Sequence, residues 1–179
     1  MSDKFDLAPL ASLAARIAES LRQRSQTVAV VESSAGGLVS AALLAIPGAS
    51  AYFVGGAVIY TRKAGKGLLG LTADDVVGMR GETEPYANLV AKRIRDKLGA
   101  TWGLSESGAA GPSGSPYGDA PGHVCIAVTG QISRTRTIET GLPDRPINMD
   151  LFARQLLSLF DEVLQEPFPL PPAKHPGSA

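Results

Sequence analysis

A single cysteine, Cys125, stands in a chain of 179 residues. No disulfide can form within it, and a reducing compartment is expected. No apolar run approaches the roughly 20 residues needed to cross a bilayer. The opening MSDKFDLAPL has neither the basic start nor the apolar centre of a secretion signal. Charge of one sign is also missing, since 17 basic residues balance 17 acidic ones. That balance argues against a nucleic-acid surface or an anionic-membrane binder. A cytoplasmic protein is therefore expected, without nucleic acid or membrane as partner. Histidine is scarce: His123 and His175 are the two present, with no H-x-x-E or C-x-x-C spacing to assemble ligands. No metal site is expected, and a Ser-His-Asp triad is equally poorly supplied.

What is present reads as a globular domain. Apolar residues make up 44% of the chain and charged residues 19%, and the length suffices to bury a core. Near-zero net charge fits self-association, so a homo-oligomer is expected, with a dimer favoured. Leu10, Leu13, Ile17 and Leu21 recur at helical spacing and predict an amphipathic helix over 9–23. The β-branched run 27–31 predicts a buried strand. Residues 38–46 form an Ala/Leu-rich helix that stops at Pro47-Gly48, and 52–61 a second strand containing Gly55-Gly56. Two short helices follow, over 63–69 and from Thr72, where Asp75 completes a capping box. Thr83 caps the next helix, with Glu84 and Pro85 in its first turn. The apolar side of that helix carries Tyr86, Leu89, Val90, Ile94 and Leu98. A third strand covers 101–105, a Gly/Pro/Ser-rich loop 108–122, a hairpin 123–129 and 134–140, and a last helix 150–165. The order predicts a three-layer α/β/α sandwich with a mixed, mostly parallel sheet, the hairpin supplying the antiparallel member. Residues 1–166 make one domain, and the proline-rich 167–179 reads as an unordered tail.

Ligands of such sheets collect beyond the carboxyl ends of strands. Two loops there have suitable composition, ESSAGG after the first strand and SESGAAGPSG after the third. Small residues in such turns leave backbone N–H groups free for an anionic or carbonyl ligand. Neither loop carries a Gly-Lys-Ser/Thr ending or a G-x-G-x-x-G pattern, and Ser33 lacks the G-x-S-x-G elbow. A serine nucleophile in this chain would need a lysine or tyrosine as base. Tyr60, Lys63 and Lys66 follow the second strand and are expected at the same sheet edge as Ser33.

The stretch from VESSAGGL through PGASAYFVGGAVIY to LLGL resembles the signature of the CinA C-terminal-domain family, whose blocks run ESCTGG, PGAS, YSNEAK and LLG. SESGAAGPSG is similar to that family's ITGIAGPGG, and GHVCIAV to its GTVYIAV. The likeness covers about residues 7–165. It implies an α/β/α fold and, in active members, hydrolysis of nicotinamide mononucleotide to nicotinic acid mononucleotide and ammonia, with no metal or organic cofactor. A small-molecule nucleotide is the implied partner. Carried over by position, Ser33 is the nucleophile. Glu32, Ser34, Gly36, Gly37, Ser107, Gly108, Gly111 and Arg145 are substrate-binding candidates, Arg145 as a phosphate contact through its fork geometry. Glu84, Tyr60 and Pro112 also keep their family places.

The departures are specific. The family's threonine in ESCTGG is Ala35 and its cysteine is Ser34. Its YSNEAK lysine falls on Gly65, flanked by Lys63 and Lys66. On a helix one residue turns a side chain by about 100°, so neither neighbour simply replaces it. Glu106 stands where the family has an apolar residue or threonine, adding a negative charge beside the second loop. The stretch PINMDLF after Arg145 inserts residues relative to the family, which leaves the register of any second arginine there, such as Arg154, open. Two readings follow. One is an amidohydrolase of nicotinamide mononucleotide or a related nucleotide amide, with Ser33 deprotonated by Tyr60, Lys63 or Lys66 and its oxyanion held by N–H groups of the 34–37 turn. The other is a pocket that binds a nucleotide or a protein partner without turnover.

Overall fold

The computed structural model describes residues 7–167. Apart from Pro167, the proline-rich tail expected over 167–179 lies outside the described residues, as does His175. Five strands form one sheet in the order β2-β1-β3-β4-β5. They are β1 Val28–Glu32, β2 Phe53–Val58, β3 Trp102–Ala109, β4 His123–Thr129 and β5 Arg134–Glu139. β1 runs parallel to β2 and β3, whereas β4 is antiparallel to β3 and β5. Four strands thus share one direction and β4 alone opposes them, which is the mixed, mostly parallel sheet read from the sequence.

Helices α1 (Leu10–Gln23), α2 (Leu38–Leu44) and α5 (Arg145–Gln165) cover one face. The larger core lies there, with Ile17, Leu21, Val30, Leu104, Phe152 and Phe160 fully enclosed. The side chains of a strand alternate between faces, so Ala29 and Val31 belong instead to the opposite layer. There they meet Val90 and Ile94 of α4 (Glu84–Leu98) and Leu69. Trp102 opens β3 in the main core, edge-on to Phe160 with ring centroids 5.6 Å apart and its indole N–H donated to Gln26.

Several expected elements change shape. The segment after β2 forms a single α turn, α3 (Arg62–Ala64), that widens into a π turn over Gly65–Leu69. Thr72 and Asp75 make both reciprocal capping bonds, but only the 3-10 turn Asp74–Val76 follows. Thr83 precedes α4 without capping it, because its hydroxyl donates to the Arg80 carbonyl. The buried stripe of α4 is Ala87, Val90, Ala91 and Ile94, while Leu98 is exposed. Strand β3 runs four residues beyond the expected 105, so Glu106, Ser107 and Gly108 are strand rather than loop residues. Helix α5 begins five residues earlier than expected, with Asp144 accepting the Ile147 N–H and Pro146 in the first turn. Both signals stand in PDRP.

The small residues of α4 let it press on β3. A Cβ placed on Gly103 would lie 2.1 Å from the Ala91 carbonyl oxygen and 2.8 Å from Arg95 Cβ. Backbone cannot yield as a side chain tip can, so Gly103→Ala should lower stability by about 3 kcal/mol, read from urea unfolding. A loss under about 0.5 kcal/mol, the range of neutral surface changes, would show that helix and strand are not in such contact.

Candidate active site

Between the sheet's carboxyl edge and the segments 59–86 and 107–117 lies a cavity of about 830 Å³. That volume falls within the range of small-molecule sites. Ser33 is half-buried on its wall, which also carries Tyr60, Arg62, Lys66, Glu82, Ser107, Gly111 and Arg145. Of the expected catalytic residues, Ser33, Tyr60 and Lys66 therefore share one cavity. Lys63 does not line it. The π turn begins between the two lysines and adds a residue to the coil, which changes where Lys66 falls relative to an α-helical register. Gly65, at the family's lysine position, is buried, and a Cβ there would meet Leu71 at 3.2 Å.

The ESSAGG loop is held from beneath by two carboxylates. Glu32, the last residue of β1 and fully buried, accepts the N–H groups of Gly37 (2.9 Å), Val39 (3.0 Å) and Ser40 (2.8 Å) and the Ser40 hydroxyl (2.6 Å). It occupies the start of α2 itself, so it and Gly37 hold the loop in shape rather than present groups to the cavity. Gly37 takes φ 104° there, a value that side chains resist. Glu106, also buried, accepts the Ser33 and Ala35 N–H groups and, at 2.8 Å, the Ser34 hydroxyl. Burial raises the Glu106 carboxyl to about 7, against the lowering effect of its three donors, and the nearby Glu32 charge adds to the rise.

These bonds alter what the turn can offer. The Ala35 and Gly37 N–H groups, expected to face an oxyanion, are used internally. Among the described residues, the Ser34 and Gly36 N–H groups donate to no protein acceptor, and neither does the Ser33 hydroxyl. Gly36 is exposed and, with Glu32, Gly37 and Lys63, does not line the cavity. Ser34 keeps a place on the wall, but its hydroxyl is committed to Glu106.

The far wall is cationic. Arg145, the first residue of α5, donates to the Gly111 carbonyl (2.9 Å) and to the Tyr60 hydroxyl (3.2 Å), with its guanidinium 5.7 Å from the Tyr60 ring centre. Gly111 thus serves through its carbonyl, and its φ of 106° suits only glycine. Arg62 donates to the Tyr117 hydroxyl at 2.9 Å. Among the described residues, Arg62, Lys66 and Arg145 have no carboxylate at ion-pair distance. Positive charge without a carboxylate partner, in a concave site, attracts an anionic ligand.

Glu82 and Arg62 were not legible as site residues. Glu82 sits just before α4 at φ 43°. Its N–H donates to Ser107 Oγ (3.2 Å), and its carbonyl accepts from His123 Nε2 (2.9 Å). Ser107, Gly108 and Ser33 line the same cavity; continuing the β1–β3 register by two residues sets Ser33 beside Ser107. His123 spans from the Glu82 carbonyl to the Glu139 carboxylate. Burial pulls its pKa down, but Glu139, that carbonyl and Asp119 outweigh burial and leave it raised. Arg154 pairs with Asp150 on α5 and does not line the cavity. Among the described residues no three His, Cys, Asp or Glu side chains cluster as a metal site would require. No helix there is long and apolar enough to cross a membrane.

A carboxyl that stays protonated more readily when folded stabilises the protein at low pH. Glu106 lies near 4.5 in the unfolded chain and about 7 in the fold. Its contribution is full below 4.5 and lost as pH rises through about 7, amounting to about 3 kcal/mol at ~1.4 kcal/mol per pH unit. Glu106→Gln should flatten the fall in stability between pH 4.5 and 8 in denaturant titrations. An unchanged pH slope would refute the assignment.

The CinA C-terminal domain family model matches residues 10–164. A CinA-like protein of Prochlorococcus marinus (strain MIT 9313) is 41% identical over 119 residues, 66% of this chain and 28% of the relative. Another, from Salinibacter ruber (strain DSM 13855 / M31), is 32% identical over 146 residues, 82% of this chain and 35% of the relative. The chain therefore spans about a third of the length of the curated relatives it matches. Among solved structures, the competence damage-inducible protein A of Klebsiella pneumoniae superposes with a TM-score of 0.82 at 25% identity, over 88% of this chain and 98% of that one. A CinA superfamily protein of Enterobacter cloacae gives the same score and identity, over 92% and 98%.

Proposed function

The chain belongs to the CinA C-terminal domain family, and on that premise we propose that it hydrolyses the carboxamide of nicotinamide mononucleotide or a closely related nucleotide amide. The observation that carries this reading is that Ser33, whose hydroxyl has no hydrogen-bond partner among the described residues, lines the same cavity as Arg62, Lys66 and Arg145, which have no carboxylate there at ion-pair distance. The cations suit a phosphate, and the serine suits an acyl carbon.

In this mechanism Ser33 Oγ attacks the carboxamide carbon while Lys66 or Tyr60 takes its proton, since both share the cavity. The developing oxyanion is met by the Ser34 N–H, which belongs to a cavity-lining residue and which Glu32 and Glu106 leave unclaimed. Collapse expels ammonia, which receives the proton, and leaves an ester on Ser33. Water then releases the acid and restores the hydroxyl. Arg145 and Arg62 hold the phosphate, with Arg145 kept in place by the Gly111 carbonyl. Oxyanion donors of this kind contribute about 3 kcal/mol each.

One observation favours the second reading, a pocket that binds a nucleotide without turnover. Among the described residues no base bonds to Ser33 Oγ, and Gly65 replaces the lysine of the family pattern. Catalytic bonds often tighten only when substrate is bound, so the hydrolase remains the better supported of the two.

Ammonia release from nicotinamide mononucleotide separates them. Wild type should turn over, and Ser33→Ala should lose at least about 1000-fold in kcat, as nucleophile removal does. Turnover that survives in Ser33→Ala removes this serine as nucleophile. Absence of turnover in wild type, with micromolar nucleotide binding by calorimetry, supports the binding reading. Arg145→Ala should raise KM about 10-fold or more with a smaller change in kcat, as loss of a phosphate contact would; an unchanged KM would take the phosphate away from this arginine.

A further inference from the structure

Resting on the amidohydrolase reading, we infer that Glu82 is the residue that tells the amide substrate from its acid product, its carboxylate accepting an N–H of the substrate carboxamide. Three independent features converge on this residue. Its carboxyl makes no hydrogen bond among the described residues: Oε2 is enclosed without a donor, and Oε1, equally unpartnered, is the oxygen that keeps accessible surface for a ligand. A carboxylate left without donors at a cavity is costly, and it favours a ligand that brings one. Its backbone is held at φ 43°, a conformation that side chains resist and that persists where neighbours enforce it. Here Ser107 takes the N–H and His123 the carbonyl, with Cys125 Sγ 3.4 Å from the same oxygen. The third feature is placement, since Glu82 lines the cavity with Ser33 and is fixed through Ser107, which the strand register sets beside that serine.

The chemistry follows from charge. A primary carboxamide presents two N–H donors, and an unpaired carboxylate is the natural acceptor for one of them. Hydrolysis replaces that nitrogen with a carboxylate oxygen. The product then turns an anion toward Glu82, where the substrate had turned a donor. Like charges in a partly enclosed site repel, so the same residue that admits the amide helps release the acid. Burial, first, and the Asp119 charge raise the Glu82 pKa, while His123, Arg80 and Arg62 oppose the rise. At pH 8 the ionised form, which is the one that discriminates, is favoured over its population at lower pH.

Calorimetry on Ser33→Ala protein at pH 8 tests the assignment, with nicotinamide mononucleotide and nicotinic acid mononucleotide as probes. The amide should bind at least 10-fold more tightly than the acid. Adding Glu82→Gln, which offers a donor as well as an acceptor, should bring the two dissociation constants within about 3-fold of each other, chiefly by tightening the acid. Glu82→Ala should narrow the gap in the same direction, and thermal melts confirm that each variant is folded. If both nucleotides bind and their ratio is the same with and without Glu82, the assignment is overturned while the nucleotide-site reading stands. If neither binds in any of the folded variants, the nucleotide reading fails and takes this assignment with it.

Discussion

Two buried carboxylates, one closing β1 and the other inside the neighbouring β3, determine the shape of the loop above them. Burying a charge costs several kcal/mol unless donors surround it. Glu32 gathers its donors from the start of α2, and Glu106 gathers its own from Ser33, Ser34 and Ala35. These bonds hold the course of the loop from β1 into α2. Glu106 rises to about 7 because this arrangement places it, desolvated, beside the Glu32 charge.

The alternation of strand side chains then divides labour. Val30 and Leu104 face the main core, and Glu32 and Glu106 follow them on that face. Val31 and Ser105 face α4, Ser105 through a hydroxyl bond to the Ala87 carbonyl, and Ser33 and Ser107 follow on that side. One step along each strand therefore separates a group that builds the floor from a group that faces the cavity. A one-residue slip of either strand would exchange them. The place of Ser33 on the cavity wall and the pairing of Ser107 with Glu82 both depend on this parity.

Much of this was legible in the residues. The order of elements, the direction of the sheet, the cavity residues Ser33, Tyr60, Ser107 and Arg145 and the family membership all follow from periodicity, turn signals and motif blocks. What escaped was contact between distant positions. Ser34 and Glu106 look like two unrelated departures from the family pattern, a cysteine lost and a charge gained, yet they form one hydrogen-bonded pair across 72 positions. Lys66 lines the cavity and Lys63 does not, and between them begins a π turn that leaves no trace in hydrophobic spacing. Glu82 reads as an ordinary acidic residue ahead of a helix. Its left-handed backbone is held by partners that the chain order does not show, Ser107 of β3 and His123 of β4. The extra length of β3 was hidden by its glycine and serines, which resemble loop composition but pair in register with β4.

Amide hydrogen exchange across residues 33–40, resolved by NMR, tests the carboxylate floor most directly. The Ala35, Gly37, Val39 and Ser40 amides should exchange at least about 100-fold more slowly than those of Ser34 and Gly36, because only the former donate to Glu32 or Glu106. Uniformly fast exchange through the whole stretch would mean that neither acid grips the loop, and the placement of Ser33 built on them would fail.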